Sequence, residues 1–185
     1  MYVDYSGEIF ERATIWLLEK SIKLYRVKLG CATDMLLNWL YGSGSFITYG
    51  DDSEIAKKLK KSDKMKEIVR NELQSYRSTG DWNTQGVVCF DSSGQWDLWL
   101  SLRNANYTIN IETVTFSFGS HFEFCYELVS VEISDTYNFN AAEFGDGLGS
   151  TLTNIAYYAH KLGIGKDYDF KINYSLIRNR RFKIK

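Results

Sequence analysis

"YTINIETVTFSF" (residues 107–118) and "FEFCYELVSVEI" (residues 122–133) decide the fold. In the first, Tyr107, Ile109 and Ile111 alternate with Thr108 and Asn110; then Thr113, Thr115 and Ser117 alternate with Val114, Phe116 and Phe118, before "GSH" turns the chain. The second run alternates in the same way through Ile133. A period of two over stretches this long marks strands with one apolar and one polar face. Just upstream, "GVVCF" and "QWDLWLSL" are separated by "DSSG", a turn composition, and read as a further hairpin. Together these runs predict an antiparallel meander of about four strands.

Outside this block the period changes to that of a helix. Between Glu8 and Lys28 the apolar positions Ile9, Ala13, Trp16, Leu17, Ile22, Leu24, Tyr25 and Val27 are closer to a 3.6 repeat than to alternation. Gly30 is expected to end this helix. Thr33 or Asp34 then caps a second one, "MLLNWLY", which Gly42 and Gly44 stop. After a short extended piece, "SFITYG", residues 51–77 carry N-terminal acids, an Asp/Ser cap and helical spacing, with a break near Ser62-Asp63. Beyond the meander, Gly149 to Leu162 is helical and "DYDFKINY" is a last strand. The fold class is therefore α+β: N-terminal helices, then a curved antiparallel sheet of half-barrel form, with a C-terminal helix packed on it.

At 185 residues the chain is long enough to bury a real core as one domain, and proline, which interdomain linkers favour, is absent altogether. A net charge of −1 gives no reason to expect nucleic acid as a partner. Basic residues do gather twice, over Lys57 to Lys66 and over Arg178 to Lys185, read as a solvated helix face and a frayed tail or as patches for anionic lipid or phosphate. No run approaches the roughly 18 apolar residues of a membrane-spanning helix, and "MYVDYSGEIF" lacks the features of a secretion signal. Cys31, Cys89 and Cys125 have no zinc-ligand spacing; they are buried free thiols, or Cys89 and Cys125 pair in an oxidising compartment. The aromatic stretches "GQWDLWLSL" and "NWLYGSGSF" are either core or a membrane-facing surface.

The chemistry gathers where the last run of the meander gives way to glycines, in "DTYNFNAAEFGDG" (residues 135–147). Asp135, Glu143 and Asp146 are oxygen ligands suited to a hard divalent cation such as Mg²⁺ or Ca²⁺, although their spacing is not that of an EF-hand. Two of these carboxylates could instead serve as a general acid/base pair. Asn138 and Asn140 are turn formers or site residues. His121, after a Gly-Ser turn, and His160, on the last helix, show no metal-ligand spacing and read as hydrogen-bonded or surface histidines.

Taken in order, "LLNWLYGSG", the sheet, "DTYNFNAAEFGDGLGSTLTNIA" and "GKDYDFKI" resemble the activity domain of colicin M and related bacteriocins and polymorphic-toxin tips. The resemblance spans roughly residues 31–175. It implies residues 1–29 as an N-terminal helical extension or connector and residues 30–185 as the toxin domain. It also implies hydrolysis of lipid II, the undecaprenyl-linked peptidoglycan precursor, between prenyl chain and diphosphate, with a divalent cation. The family pattern is D-x-Y-D-x5-H-R. Asp135 and Tyr137 match it, whereas Asn138 stands at the second aspartate and Phe144-Gly145 replace His-Arg. An amide is no general base, and neither Phe nor Gly moves a proton or neutralises phosphate. Catalytic positions by resemblance are thus Asp135, Tyr137 and Asn138, with Glu143 and Asp146 flanking the lost pair and forming a substitute cation site with Asp135.

The function that follows is an antibacterial toxin domain acting on the cell envelope, with a cognate immunity protein and a lipid-linked substrate or membrane surface as partners. The alternative is a non-enzymatic toxin or a protein-binding module on the same fold. Export by a dedicated system, or as part of a larger toxin, and action in the periplasm or at the outer face of the cytoplasmic membrane complete the expectation.

Overall fold

Each periodic stretch of the sequence corresponds to an element in a computed structural model of the chain, which describes residues 5–75, 82–91, 95–118, 122–138 and 148–184. The elements are α1 (Tyr5–Tyr25), α2 (Gly30–Tyr41), β1 (Ile47–Tyr49), α3 (Glu54–Lys61), α4 (Asp63–Ser75), β2 (Trp82–Cys89), α5 (Trp96–Leu102), β3 (Asn104–Phe118), β4 (Phe122–Tyr137), α6 (Leu148–Lys161) and β5 (Tyr168–Ile184). The sheet is mixed and open, in the order β1-β5-β4-β3-β2. β2, β3 and β4 form the expected antiparallel ladder, from Trp82↔Ile111 to Cys89↔Asn104 and from Asn106↔Ser134 to Phe118↔Phe122. No helix among the described residues is long and apolar enough to cross a membrane.

By contacts the chain divides into two units. One comprises Met1–Ile47, Asp91–Leu102 and Thr136–Phe170; the other comprises Thr48–Phe90, Arg103–Asp135 and Lys171–Lys185.

The first unit is a set of packed helices. α1 packs against α2 and α6, and α2 against α5. α1 buries Thr14, Leu18 and Ile22 at helical spacing, and α2 buries Met35, Leu36, Trp39 and Leu40. Three expectations change here. Gly30 opens α2 rather than closing α1, and Thr33 and Asp34 lie inside α2 rather than at its cap. The cap comes from 65 residues away: Asp97 Oδ1 accepts from Ala32 N at 2.8 Å and Oδ2 from Cys31 N at 3.2 Å. This buried carboxylate satisfies two amides that a helix start otherwise leaves unpaired.

The third change is "QWDLWLSL", which is the helix α5 and not a strand. Its residues 96, 98, 100 and 102 alternate, but Asp97, Leu98, Ser101 and Leu102 are the ones buried, a helical set. The Trp96 and Trp99 rings meet edge to face at 5.4 Å, as residues one turn apart do. Trp39 is wholly buried and Trp96 is exposed, so the two aromatic stretches divide between core and surface.

In the second unit the polar segment 51–75 breaks at Ser62, as the sequence indicates. Ser53 Oγ accepts from Ala56 N and caps α3. Ser62 N donates to Lys58 O and Leu59 O, while Ser62 Oγ accepts from Met65 N, so one buried serine closes α3 and opens α4. The lysines of α3 and α4 are a solvated, ion-paired face: Lys57 with Glu54, Lys60 with Asp51 and Lys66 with Asp63. Ile55, Ala56, Leu59, Met65 and Val69 are buried, as are Val88, Ala105, Ile109, Ile111, Val129, Val131, Ile133, Ile172 and Tyr174 on the strands.

Residues 178–184, expected as a frayed tail, continue β5. The thiols differ from expectation as well: Cys31 is buried, but Cys89 is exposed and free. Cys89 pairs with Asn104 and Cys125 with Thr115, eleven positions apart on β3 and hence on the order of 35 Å, so no bridge joins them.

Candidate functional site

The first unit brings together the ends of the three motifs that carry the resemblance. β4 ends on Tyr137, buried at 7 % exposure, with Asn138 exposed after it. The alternation of the strand explains this: Tyr137 continues the parity of the core residues Val129, Val131 and Ile133, and Thr136 points the other way. Thr136 Oγ1 donates to Asp169 Oδ1 at 2.6 Å. The Tyr137 ring packs at 5.5 Å on Tyr168, whose hydroxyl donates to Met35 O of α2 at 3.1 Å. Tyr137 is therefore a packed side chain and not an open phenol. Asp135, half-buried two positions earlier, is the last residue of β4 assigned to the second unit.

"NWLYGSG" and "GKDYDF" meet at Trp39. Its indole Nε1 donates to Asp167 Oδ1 at 3.0 Å, and its carbonyl accepts from Lys166 N at 2.8 Å. Gly165 lies flat against the ring. It has φ +79°, and a Cβ there would come within 2.6 Å of Trp39 Cζ3, so the position admits only glycine without displacement. Gly44, at φ +78°, faces the Asp167 carbonyl and the Lys166 side chain in the same way.

This cluster contains a pair that sequence reading left aside. His160, on the last turn of α6, stacks on Trp39 with ring centroids 6.2 Å apart. Its Nδ1 is shielded from solvent and lies 3.4 Å from Asp167 Oδ1, within ion-pair distance but making no hydrogen bond. The exposed part of the imidazole is thus the rest of the ring, with one nitrogen turned to a carboxylate. A histidine held so can accept or donate a proton at its other nitrogen. The seven-residue separation of His160 and Asp167 carries no signal in itself. What joins them is the reversal through Gly163 and Gly165, both at positive φ, and the glycine spacing of "LGIGKD" was the one available hint.

Of the other candidates, Asn140, Glu143, Asp146 and His121 lie outside the described residues. Among the described residues no three His, Cys, Asp or Glu side chains gather closely enough to hold a metal ion.

No family model and no curated protein matches the chain. Solved structures do. It is similar to PaeM, a colicin M-like bacteriocin produced by Pseudomonas aeruginosa, at 12 % identity and TM-score 0.47 over 84 % of this chain and 51 % of that one. It is similar to the bacteriocin syringacin M from Pseudomonas syringae pv. tomato DC3000, at 17 % identity and TM-score 0.40 over 83 % of this chain and 52 % of that one. It is also similar to pectocin M2, at 12 % identity and TM-score 0.38 over 100 % of this chain and 63 % of that one. The chain spans about half the length of the first two bacteriocins.

Proposed function

We propose that this chain is the activity domain of an antibacterial toxin that acts on the cell envelope and hydrolyses the undecaprenyl-linked peptidoglycan precursor lipid II. The observation that supports this reading is the convergence, in one unit, of "NWLYGSG", "TYN" and "GKDYDF" on Trp39, Tyr137, Asp167 and Tyr168. These are the motifs, in the order, by which the sequence resembles the colicin M type.

Hydrolysis adds water across the bond between prenyl chain and diphosphate, releasing prenol and the diphosphate-bearing sugar. A group must take a proton from the water, and positive charge must meet the diphosphate. Asn138 does not do the first. In the proposed arrangement His160 does, with Asp167 as the positioning residue that fixes the ring. Lys166, exposed, anchored through its backbone on Trp39 and laid over Gly44, is the cation placed for the second. A divalent cation would add charge neutralisation at the diphosphate. A cognate immunity protein, export within or alongside a larger toxin and action on the periplasmic side belong to the same proposal.

The test uses purified protein with labelled lipid II and Mg²⁺ or Ca²⁺. Release of prenol, reduced about a hundredfold or more in His160→Gln and less in Asp167→Asn, supports the reading. Release that is unchanged in His160→Gln moves the proton transfer elsewhere.

Asn138 and Phe144-Gly145 favour a second reading, a non-enzymatic toxin or a protein-binding module on this fold. Expression directed to the periplasm separates them: either toxin harms the cell and is neutralised by its immunity protein, and a binding module does not.

A further inference from the structure

The β3–β4 ladder runs in unbroken register from Asn106↔Ser134 to Phe118↔Phe122, yet the side of it that is apolar changes. Up to Ile111 and from Val129 onward, the odd-numbered residues are apolar and buried: Ala105, Ile109, Ile111, Val129, Val131 and Ile133. Beyond that point Thr113, Thr115 and Ser117 occupy those positions and are exposed. The even positions now carry the exposed Glu112, opposite Leu128, and then the apolar Val114, Phe116, Tyr126 and Leu128. Both strands switch at the same rung, so the switch belongs to the ribbon and not to one residue.

β2 ends opposite Ile111, so among the described residues 112–118 of β3 pair with β4 alone, over roughly 20 Å. Among the described side chains of this ribbon none is buried. Phe116 is 48 % exposed and stacks on Tyr126 at 5.9 Å, with Val114 and Leu128 half-buried on the same face. β5, next to β4, adds to that face. Its buried residues are Tyr168, Phe170, Ile172 and Tyr174, and its other side carries Lys171, paired at 3.0 Å with Glu132 of β4, and then Ile177 at 56 % exposure. From Lys171 to Lys185 the sequence has six basic residues and no acidic one.

We propose that this inverted face of the β3–β4 ribbon, with Ile177 of β5, is a docking surface for an anionic lipid bilayer. Aromatic and aliphatic side chains on one side of an otherwise polar ribbon suit the headgroup boundary, where tyrosine is favoured. A neighbouring strand rich in Lys and Arg supplies attraction to anionic headgroups. Val114, Leu128 and Ile177 offer no surface on which a nucleic-acid base stacks well. A two-fold contact between copies through this face would bring two basic strands together. Both alternatives are therefore disfavoured. The inference goes beyond the proposed hydrolysis and does not depend on it.

The experiment is flotation of the full chain with phosphatidylcholine vesicles, with and without about one third phosphatidylglycerol. The wild type floats with the anionic vesicles, and less so with neutral ones or at high salt. The double variant Phe116→Ser/Tyr126→Ser loses about tenfold or more of the bound fraction while keeping its circular dichroism. Val87→Ser, which removes a 60 % exposed apolar residue of β2, changes nothing. Absence of wild-type flotation overturns the proposal, as does flotation that the double variant leaves intact. A wild-type dimer that the double variant converts to monomer, with no vesicle binding, assigns the face to a second copy and overturns it too. Prenol release from detergent-solubilised lipid II, measured in the same variants, keeps the failure of this surface distinct from failure of the hydrolase reading.

Discussion

The two halves of the β3–β4 ladder share one unbroken register, and differ in which parity of side chain is apolar and in whether β2 flanks them. In the half near β2, Ala105, Ile109, Ile111, Val129, Val131 and Ile133 are each below 3 % exposed; in the distal half Phe116 is exposed and Val114, Tyr126 and Leu128 are half-buried. Backbone pairing is indifferent to this choice, because ladder hydrogen bonds lie in the plane of the sheet. Side-chain parity alone decides which face seeks a covering. One half therefore buries its apolar side in the core, and the other leaves its apolar side part-exposed.

Substitutions can break that contrast. Ile109→Ala, in the buried half, should cost about 3 kcal/mol in chemical denaturation, through lost burial and an unfilled cavity; a cost below about 1 kcal/mol would mean that this half is no core. Gly165→Ala comes next, at about 2 kcal/mol or more, because both the positive φ and the Trp39 ring oppose a methyl group. The same variant should also disturb the His160–Asp167 pair, seen as a changed His160 imidazole spectrum. Asp97→Ala should lose about 1–2 kcal/mol with the cap on α2, and Asp97→Asn less. At the small end, Phe116→Ala should shift stability by no more than about 0.5 kcal/mol, in contrast to Ile109→Ala on the same strand.

A pH dependence follows from Tyr174. Its hydroxyl is buried with no hydrogen-bond partner among the described residues, and burial pushes its pKa above the usual 10.0. The stability it contributes is thus complete below pH 10.0 and is lost as pH rises toward the folded value. Tyr41, pushed up to about 12 by its hydrogen bond to Glu19, acts in the same direction from the surface. Tyr174→Phe should leave neutral-pH stability unchanged or slightly higher and flatten the alkaline loss, which thermal melts across pH 9–11 would show.

Much of this fold was legible because strong periodicity is a local signal. The runs at 107–118 and 122–133 named their strands, and Ser53 and Ser62 marked the starts of α3 and α4. α5 was misread because Trp96, Leu98, Leu100 and Leu102 satisfy a strand period while its burial follows a helical one. The arbiter, the cap that Asp97 places on α2, is a contact 65 residues long. The start of α2 escaped for the same reason. In the candidate site, Asp135, Tyr137 and Asn138 were found by motif order, but the burial of Tyr137 comes from Tyr168, 31 positions away. The His160–Asp167 pair was invisible because two left-handed glycines and a tryptophan from α2 create it.

The central claim, that the motifs meeting on Trp39 make a site which cleaves a lipid-linked diphosphate, is tested most directly by incubating the purified chain with labelled lipid II and Mg²⁺ or Ca²⁺. Prenol released by the wild type and lost in His160→Gln is the expected result. No release by a folded wild type, under conditions in which an active colicin M-type enzyme releases it, would contradict the claim and leave the fold as a binding or membrane-active scaffold.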